Sequence, residues 1–139
     1  DEAGRQTRVV GTTVDIGERK QAEADLRLSE ERLRVAGEAA QVGVFDWDIA
    51  AGESRWTAEQ WRLHGLEPRD GGPSYAEWEA TIHPEDRDRA NAAVTQALVH
   101  GQPFDVDYRV PLPDGSVRWL AGRGRVFSSA TAQPARMTG

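Results

Sequence analysis

The chain has 139 residues, enough for one domain with a single hydrophobic core and too few for two. Its net charge of -6 comes from acids scattered among arginines, so binding to a nucleic-acid backbone is not expected. The absence of cysteine excludes disulfides, thiolate zinc sites and cysteinyl-flavin photochemistry. No apolar run approaches the roughly 20 residues that span a bilayer, so we expect a cytoplasmic domain without direct membrane contact, even if its parent protein is membrane-anchored elsewhere.

The first segment, residues 8–16, is rich in β-branched residues and is predicted to form one strand ending at Gly17. Strong helix formers of mixed charge then predict a long helix over residues 18–38. Its apolar stripe recurs at alternating steps of four and three if a serine fills one place: Ala22, Leu26, Ser29, Leu33, Ala36 and Ala40. A short coiled-coil seam and an ordinary amphipathic helix fit this pattern equally, and both permit a homodimer.

Residues 42–49 alternate between apolar and acidic side chains, which predicts a half-buried strand. Phe45, Trp47 and Ile49 share one face of it, and Asp46 and Asp48 share the other. A turn follows, and residues 54–56 are predicted to return as a short second strand.

Three helical segments are predicted next. Thr57 caps a helix over residues 58–65, and Ser74 stands at the capping position of the second helix. The third begins within residues 83–87, where a proline and two acids suit the first helical turn, and it ends at Gly101.

A long antiparallel hairpin is predicted after Gly101, with an alternating strand over residues 104–110 and a return strand from Val117. Three arginines of the return strand are expected to face Asp105 and Asp107 across it: Arg118, Arg123 and Arg125. Residues 136–139 are predicted to form a final strand that is truncated soon after it starts.

Three motifs occur in order: Phe-Asp-Trp-Asp at 45–48, His-Pro-Glu-Asp-Arg at 83–87 and Asp-Gly-Ser-Val-Arg-Trp at 114–119. With the order of elements, they resemble a PAS domain, of the subfamily with a His-Pro-acid-Asp-Arg helix start and an Asp-Gly-Ser-x-Arg-Trp hairpin. The resemblance implies an α+β PAS fold. A single antiparallel sheet of about five strands carries short helices on one face, and a long linker helix precedes it.

The resemblance also implies three parts of the chain. Residues 1–17 resemble the last strand of a preceding PAS repeat, because the sequence from Asp15 to Lys20 is similar to the family's Asp-Ile-Thr-Glu-Arg-Lys. Residues 18–38 are then the linker, or signalling, helix, and residues 39–139 the PAS domain, truncated in its last strand. We expect residues 8–16 to pair with a neighbouring sheet edge, including the slot that the truncated strand leaves.

Resemblance to this family implies a sensory and dimerisation module of a multidomain bacterial signalling protein, most commonly a two-component sensor histidine kinase. It would relay the state of a ligand or partner through its last strand and flanking helices. A diguanylate cyclase or phosphodiesterase parent, a ligand-free dimerisation scaffold, and a flavin or haem redox sensor are the alternatives. The expected partners are a second copy, neighbouring PAS and output domains, and a small-molecule ligand; no catalysis by the fragment and no cofactor are predicted.

The family fold places a ligand cavity between the inner sheet face and the short helices. The predicted pocket residues are Phe45, Trp47, Trp61, Trp78, Tyr108 and Trp119, although core packing alone also explains the tryptophans. The predicted relay residues are Asp15, Ile16, Leu26 and Leu33.

No catalytic or metal site is predicted. We interpret Asp46 and Asp48 as solvated or salt-bridged strand residues rather than an acid–base pair. His83, Glu85 and Asp86 are explained as a helix start without a metal.

Overall fold

The computed structural model describes residues 4–139. Its contacts divide the chain into two compact units, one ending at Arg34 and the other spanning Val35–Gly139. The described strands are β1 Phe45–Asp48, β2 Glu53–Trp56, β3 Phe104–Pro111, β4 Val117–Ser128 and β5 Pro134–Thr138. The helices are α1 Gly17–Ala39, α2 Ala58–Leu63, α3 Tyr75–Thr81, a 3₁₀ turn Pro84–Asp86 and α4 Arg87–His100.

The five strands form one antiparallel sheet in the order β2-β1-β5-β4-β3. The predicted α+β architecture is confirmed. β5, last in chain order, lies in the middle of the sheet, where it pairs with β1 on one side and β4 on the other.

The strand predicted over residues 8–16 does not form, and this prediction is wrong for the structure described. A strand needs a partner for its backbone N–H and C=O groups, and the position between β1 and β4 is occupied by β5. Assignment of residues 1–17 to a preceding repeat stays a prediction, and residues 1–3 lie outside the described part of the chain.

Helix α1 matches the predicted linker helix to within a residue at each end. The Asp15 carboxylate accepts a hydrogen bond from the Gly17 N–H at 2.8 Å, and the Ile16 carbonyl accepts the first helical bond from Lys20 at 2.9 Å. Asp15 thus satisfies a donor that the helix itself leaves unpaired. No residue of α1 is buried.

The short helices begin where polar caps stand in the sequence. Thr57 accepts a bond from the backbone of α2, and Ser74 and Glu77 form a reciprocal capping box at α3. The third predicted helix is divided: a 3₁₀ turn at Pro84–Asp86 precedes α4, which ends at Gly101 with φ of 64°, a left-handed conformation that glycine adopts without strain.

The hydrophobic core lies between the inner sheet face and α4. Alternate residues of β3 are buried against one side of the helix, where Ala90, Val94 and Ala97 face the sheet. Small residues on α4 bring its backbone close to the strand. The core members from β3 and β5 are Phe104, Val106, Tyr108, Val110 and Met137.

The outer sheet face carries the charged side chains. Arg123 reaches Asp105 at 2.9 Å and Asp107 at 3.1 Å, as predicted. Arg118 does not join them, because it pairs with buried Val110 and so lies on the inner face. Arg125 pairs in register with Thr138 of β5 instead of with β3.

The Asp46 and Asp48 carboxylates have the structural roles that we predicted. Asp46 forms an ion pair with Arg136 of β5 across the outer face. Asp48 accepts a bond from the Ala51 N–H at 3.0 Å and so closes the turn between β1 and β2.

The free edge of β3 is covered by a buried ion pair. Asp86 is fully buried, and its carboxylate accepts from the backbone N–H of Arg109 at 2.8 Å and from the guanidinium at 2.8 and 2.9 Å. These bonds from Arg109 hold the pKa of Asp86 well below its usual range. The His83 N–H donates to the Arg109 carbonyl at 2.8 Å, so both edge groups of that residue are paired.

We expect Asp86→Asn to lower the free energy of unfolding by roughly 2–4 kcal/mol, because it removes a buried charge partner from Arg109. Glu85→Gln is the matched control, because the Glu85 carboxylate also reaches Arg109, at 3.1 Å, but its side chain is 74% exposed. This variant should lose about 0.5 kcal/mol or less of the free energy of unfolding. Urea unfolding at pH 7 measures both. Equal losses from the two variants would contradict a central role for the buried pair.

Candidate functional site

A cavity of about 840 Å³ lies between the inner sheet face and helices α2 and α3. This volume is within the range of small-molecule sites. Its wall is largely aromatic, with rings from the sheet and from α3: Phe45, Trp47, Tyr75, Trp78, Phe104 and Tyr108. Two pairs of these rings pack edge to face. The distance between ring centroids is 6.1 Å for Phe45 and Phe104 and 6.0 Å for Trp78 and Tyr108.

Four of the six predicted pocket residues lie in this wall with their rings toward the core: Phe45, Trp47, Trp78 and Tyr108. Trp61 does not border the cavity. It is 1% exposed and packs between Trp56, at 5.0 Å between centroids, and the guanidinium of Arg69, at 4.7 Å. Trp56 takes a place in the wall that we had not predicted.

Trp119 borders the cavity, but its side chain belongs to the other side of the sheet. It pairs in register with Arg109 and remains 64% exposed, with the Arg109 guanidinium 5.4 Å from its ring. Because side chains alternate along β4, the inner face carries the neighbouring Leu120 instead.

The Tyr108 hydroxyl connects the sheet with both helices of the cavity. It lies 2.7 Å from Nε2 of His64, which follows α2, and accepts from the Trp78 indole N–H of α3 at 3.3 Å. The other ring nitrogen of His64 lies 2.8 Å from the Gln60 carbonyl, which only accepts. Nδ1 therefore carries the proton, Nε2 accepts from Tyr108, and every polar atom of this network is satisfied.

Burial sets the protonation states of this network. It lowers the pKa of His64 to about 4, so the imidazole is neutral at pH 7. Burial also raises the pKa of Tyr108 to about 12, so the phenol keeps its proton. The centre of the cavity wall is thus polar but uncharged.

A haem iron at His64 would have to displace an existing partner. Coordination through Nε2 would break the bond to Tyr108, whereas Nδ1–H would keep its bond to the Gln60 carbonyl. Within residues 4–139, no group of three or more histidine or acidic side chains is arranged to hold a metal ion.

The His-Pro-Glu-Asp-Arg motif is explained by local structure. The His83 ring accepts from the Glu85 N–H at 3.2 Å, and Pro84 opens the 3₁₀ turn. Arg87 donates to the Ile82 carbonyl at 3.1 Å, just after the end of α3. The motif therefore joins α3, α4 and β3 and contributes nothing to the cavity wall.

The predicted relay residues lie on or before α1 and are solvent-exposed. Ile16 is 46% exposed, Leu26 60% and Leu33 74%, and Asp15 forms the cap described above.

Among the described residues, no helix has the length and apolar character needed to cross a membrane.

The chain belongs to the PAS fold family, whose model matches residues 51–139. It is 29% identical to a probable diguanylate cyclase of Escherichia coli (strain K12) over 78% of this chain and 10% of that protein. It is 30% identical to a blue-light-activated histidine kinase of Brucella anthropi over 79% of this chain and 22% of that protein. The chain thus spans a tenth to about a fifth of the length of these curated relatives.

Among solved structures, a sensory box histidine kinase/response regulator from Burkholderia thailandensis is similar. It superposes with a TM-score of 0.64 at 31% sequence identity, covering 78% of this chain and 80% of that one. The domain is therefore a sensory module of the kind found in signalling proteins.

We expect stability to fall as the pH drops from 6.5 toward about 4, because the unfolded chain binds a proton at His64 in this window and the folded chain does not. The loss should reach about 3 kcal/mol, since one pKa unit corresponds to about 1.4 kcal/mol. His64→Gln should remove the slope between pH 6.5 and about 5, above the range in which the Asp86 carboxylate contributes. Urea unfolding at several pH values measures it. His100→Gln is the control, since it removes an exposed imidazole and should leave the slope in place. An unchanged slope in His64→Gln would contradict the assignment of this loss of stability to His64.

Proposed function

We propose that this domain senses a small molecule in its cavity and passes the result to an output domain of a larger signalling protein. The observation that supports this most is the cavity itself. Five tryptophans and two tyrosines could have filled the space between sheet and helices, yet about 840 Å³ remains. A pure scaffold has no need of such a space, because unfilled volume costs packing energy.

The relay would run through β5. Met137 is buried in the cavity wall, whereas its neighbour Arg136 lies on the outer face and pairs with Asp46. A ligand that moves the Met137 backbone would therefore also move a charged contact on the opposite face. Both neighbouring strands would respond, since β5 is hydrogen-bonded to each.

Dimerisation would use α1. Its apolar stripe includes Leu26 and Leu33, which are well exposed. The stripe follows the four- and three-residue steps of a coiled-coil seam. Pairing with α1 of a second copy would bury these leucines and would place two output domains side by side.

The parent protein is proposed to be a sensor histidine kinase of a two-component system. Support comes from the Burkholderia and Brucella proteins, which are named as histidine kinases. The Escherichia coli relative supports a diguanylate cyclase as the second candidate. Neighbouring PAS and output domains of that parent would be the partners of this module.

Leu120→Trp tests the sensing role in the full-length parent. Leu120 borders the cavity and is the cross-strand neighbour of Tyr108. A larger ring at this position therefore occupies space that a ligand would need. We expect the enzymatic output to change at least about fivefold, the lower end of typical coupling between sites. Val117→Trp, on the exposed outer side of the same strand, is the control. An unaltered output from Leu120→Trp in a folded protein would refute sensing through this cavity.

The double substitution Leu26→Gln, Leu33→Gln tests the dimer. We expect the dissociation constant to rise at least about tenfold, because each leucine loses burial against the partner. Leu28→Gln is the matched control, since Leu28 is 51% exposed on the same helix but lies off the stripe. Sedimentation equilibrium measures all three proteins. Equal effects of the double variant and Leu28→Gln would rule out the predicted stripe as the interface.

A further inference from the structure

The charge of the cavity wall is concentrated on one side chain. Four charged residues border the cavity: Glu59, Arg62, Arg118 and Arg123. Glu59 and Arg62 face each other, with 3.6 Å between carboxylate and guanidinium. Arg123 is bonded to Asp105 and Asp107 on the outer face. These three are balanced by partners within the chain, which leaves Arg118.

Arg118 is fixed in position but is not neutralised. Its Nη1 donates to the carbonyls of Arg62 at 2.9 Å and of Leu63 at 3.1 Å, at the end of α2. Those carbonyls orient the guanidinium but carry no net charge. Within residues 4–139, no carboxylate lies at ion-pair distance from it. An arginine has five N–H donors, and these bonds use those of Nη1 alone.

The nearby carboxylate of Asp114, in the hairpin turn, does not serve as an ion-pair partner of Arg118. The pKa of Asp114 is lowered mainly by hydrogen bonds from Ser116, and Arg118 adds a smaller electrostatic effect. Its Oδ1 atom accepts from the Ser116 backbone at 2.9 Å and from the Ser116 hydroxyl at 2.5 Å. Asp114 is therefore committed to the turn between β3 and β4.

The rest of the wall favours an aromatic ligand. The rings of Phe45, Trp47 and Trp78 offer flat apolar surfaces with edges and faces that suit another ring. His64 is neutral with both nitrogens bonded, and Glu59 is the one carboxylate side chain among the residues of the wall. Among the side chains of this wall, a ligand cation would find no unpaired carboxylate.

We propose that the cavity binds a planar aromatic carboxylic acid, whose ring packs among the aromatic side chains and whose carboxylate pairs with Arg118. This inference rests on the proposed sensing function and adds the charge and shape of the ligand. Guanidinium and carboxylate match in geometry, and a charge-assisted pair of this kind is roughly twice as strong as a neutral hydrogen bond.

Three probes that share one ring test the proposal: indole-3-acetate, an anion; indole, which is neutral; and tryptamine, a cation. Calorimetric titration of the purified domain should give indole-3-acetate a dissociation constant at least about tenfold below those of the other two, which corresponds to about 1.4 kcal/mol. The preference should shrink as salt is added, because the pair is partly solvated. Shifts of the Trp78 indole N–H resonance should place each bound probe in the cavity.

Arg118→Gln should reduce the affinity for indole-3-acetate to that for indole and leave indole unchanged. Arg118→Lys keeps the charge and should keep the preference. Arg125→Gln removes a charge from the outer face of the same strand and is the control. If Arg118→Gln does not fold, the wild-type series and Arg118→Lys still decide the question.

Equal affinities for indole and indole-3-acetate in the wild type would overturn the carboxylate assignment, while leaving a ligand cavity in place. Tighter binding of tryptamine would overturn it as well. Binding of none of the probes would also overturn it; the proposed sensing function would then stand or fall by the output of Leu120→Trp.

Discussion

The Tyr108 hydroxyl is the contact on which the arrangement of the cavity depends. One oxygen joins the sheet to α2 through His64 and to α3 through Trp78. If the hydroxyl were absent, two buried polar groups would lose their partner, and two helices would lose their common link to the sheet. Because the network is satisfied internally, it holds the wall in position without adding charge to it.

The alternation of side chains along β4 separates two kinds of chemistry. The inner face carries Leu120 and Arg118 beside the cavity, and the outer face carries Trp119 and Arg123 among exposed charges. The buried pair of Asp86 and Arg109 then closes the edge of the sheet next to this hairpin. A single hairpin thus supplies the cavity wall, the outer surface and the protected edge.

Much of the fold follows from local sequence signals: the caps at Thr57 and Ser74, the stop at Gly101 and the alternation of β3 were all predictable. Strand alternation also predicts the faces of Arg118 and Trp119, because residues an odd number of positions apart cannot share a face. Strict use of this rule would have placed Arg118 on the inner face and Trp119 on the outer face. The link between His64 and Tyr108 joins residues 44 positions apart and carries no local signature. The failed strand at 8–16 had the right composition but no partner, which composition does not reveal.

The central position of β5 has a consequence for how the domain folds. The β1–β2 and β3–β4 hairpins are local and can form early, but within the described sheet they are joined through β5, which follows the other four strands in the sequence. Its contact with β1 spans 90 residues, from Arg136 back to Asp46. Until β5 inserts, a nascent chain on the ribosome exposes two unpaired sheet edges. Assembly of the sheet is therefore slow relative to its parts, and interruption at that stage leaves a species prone to association.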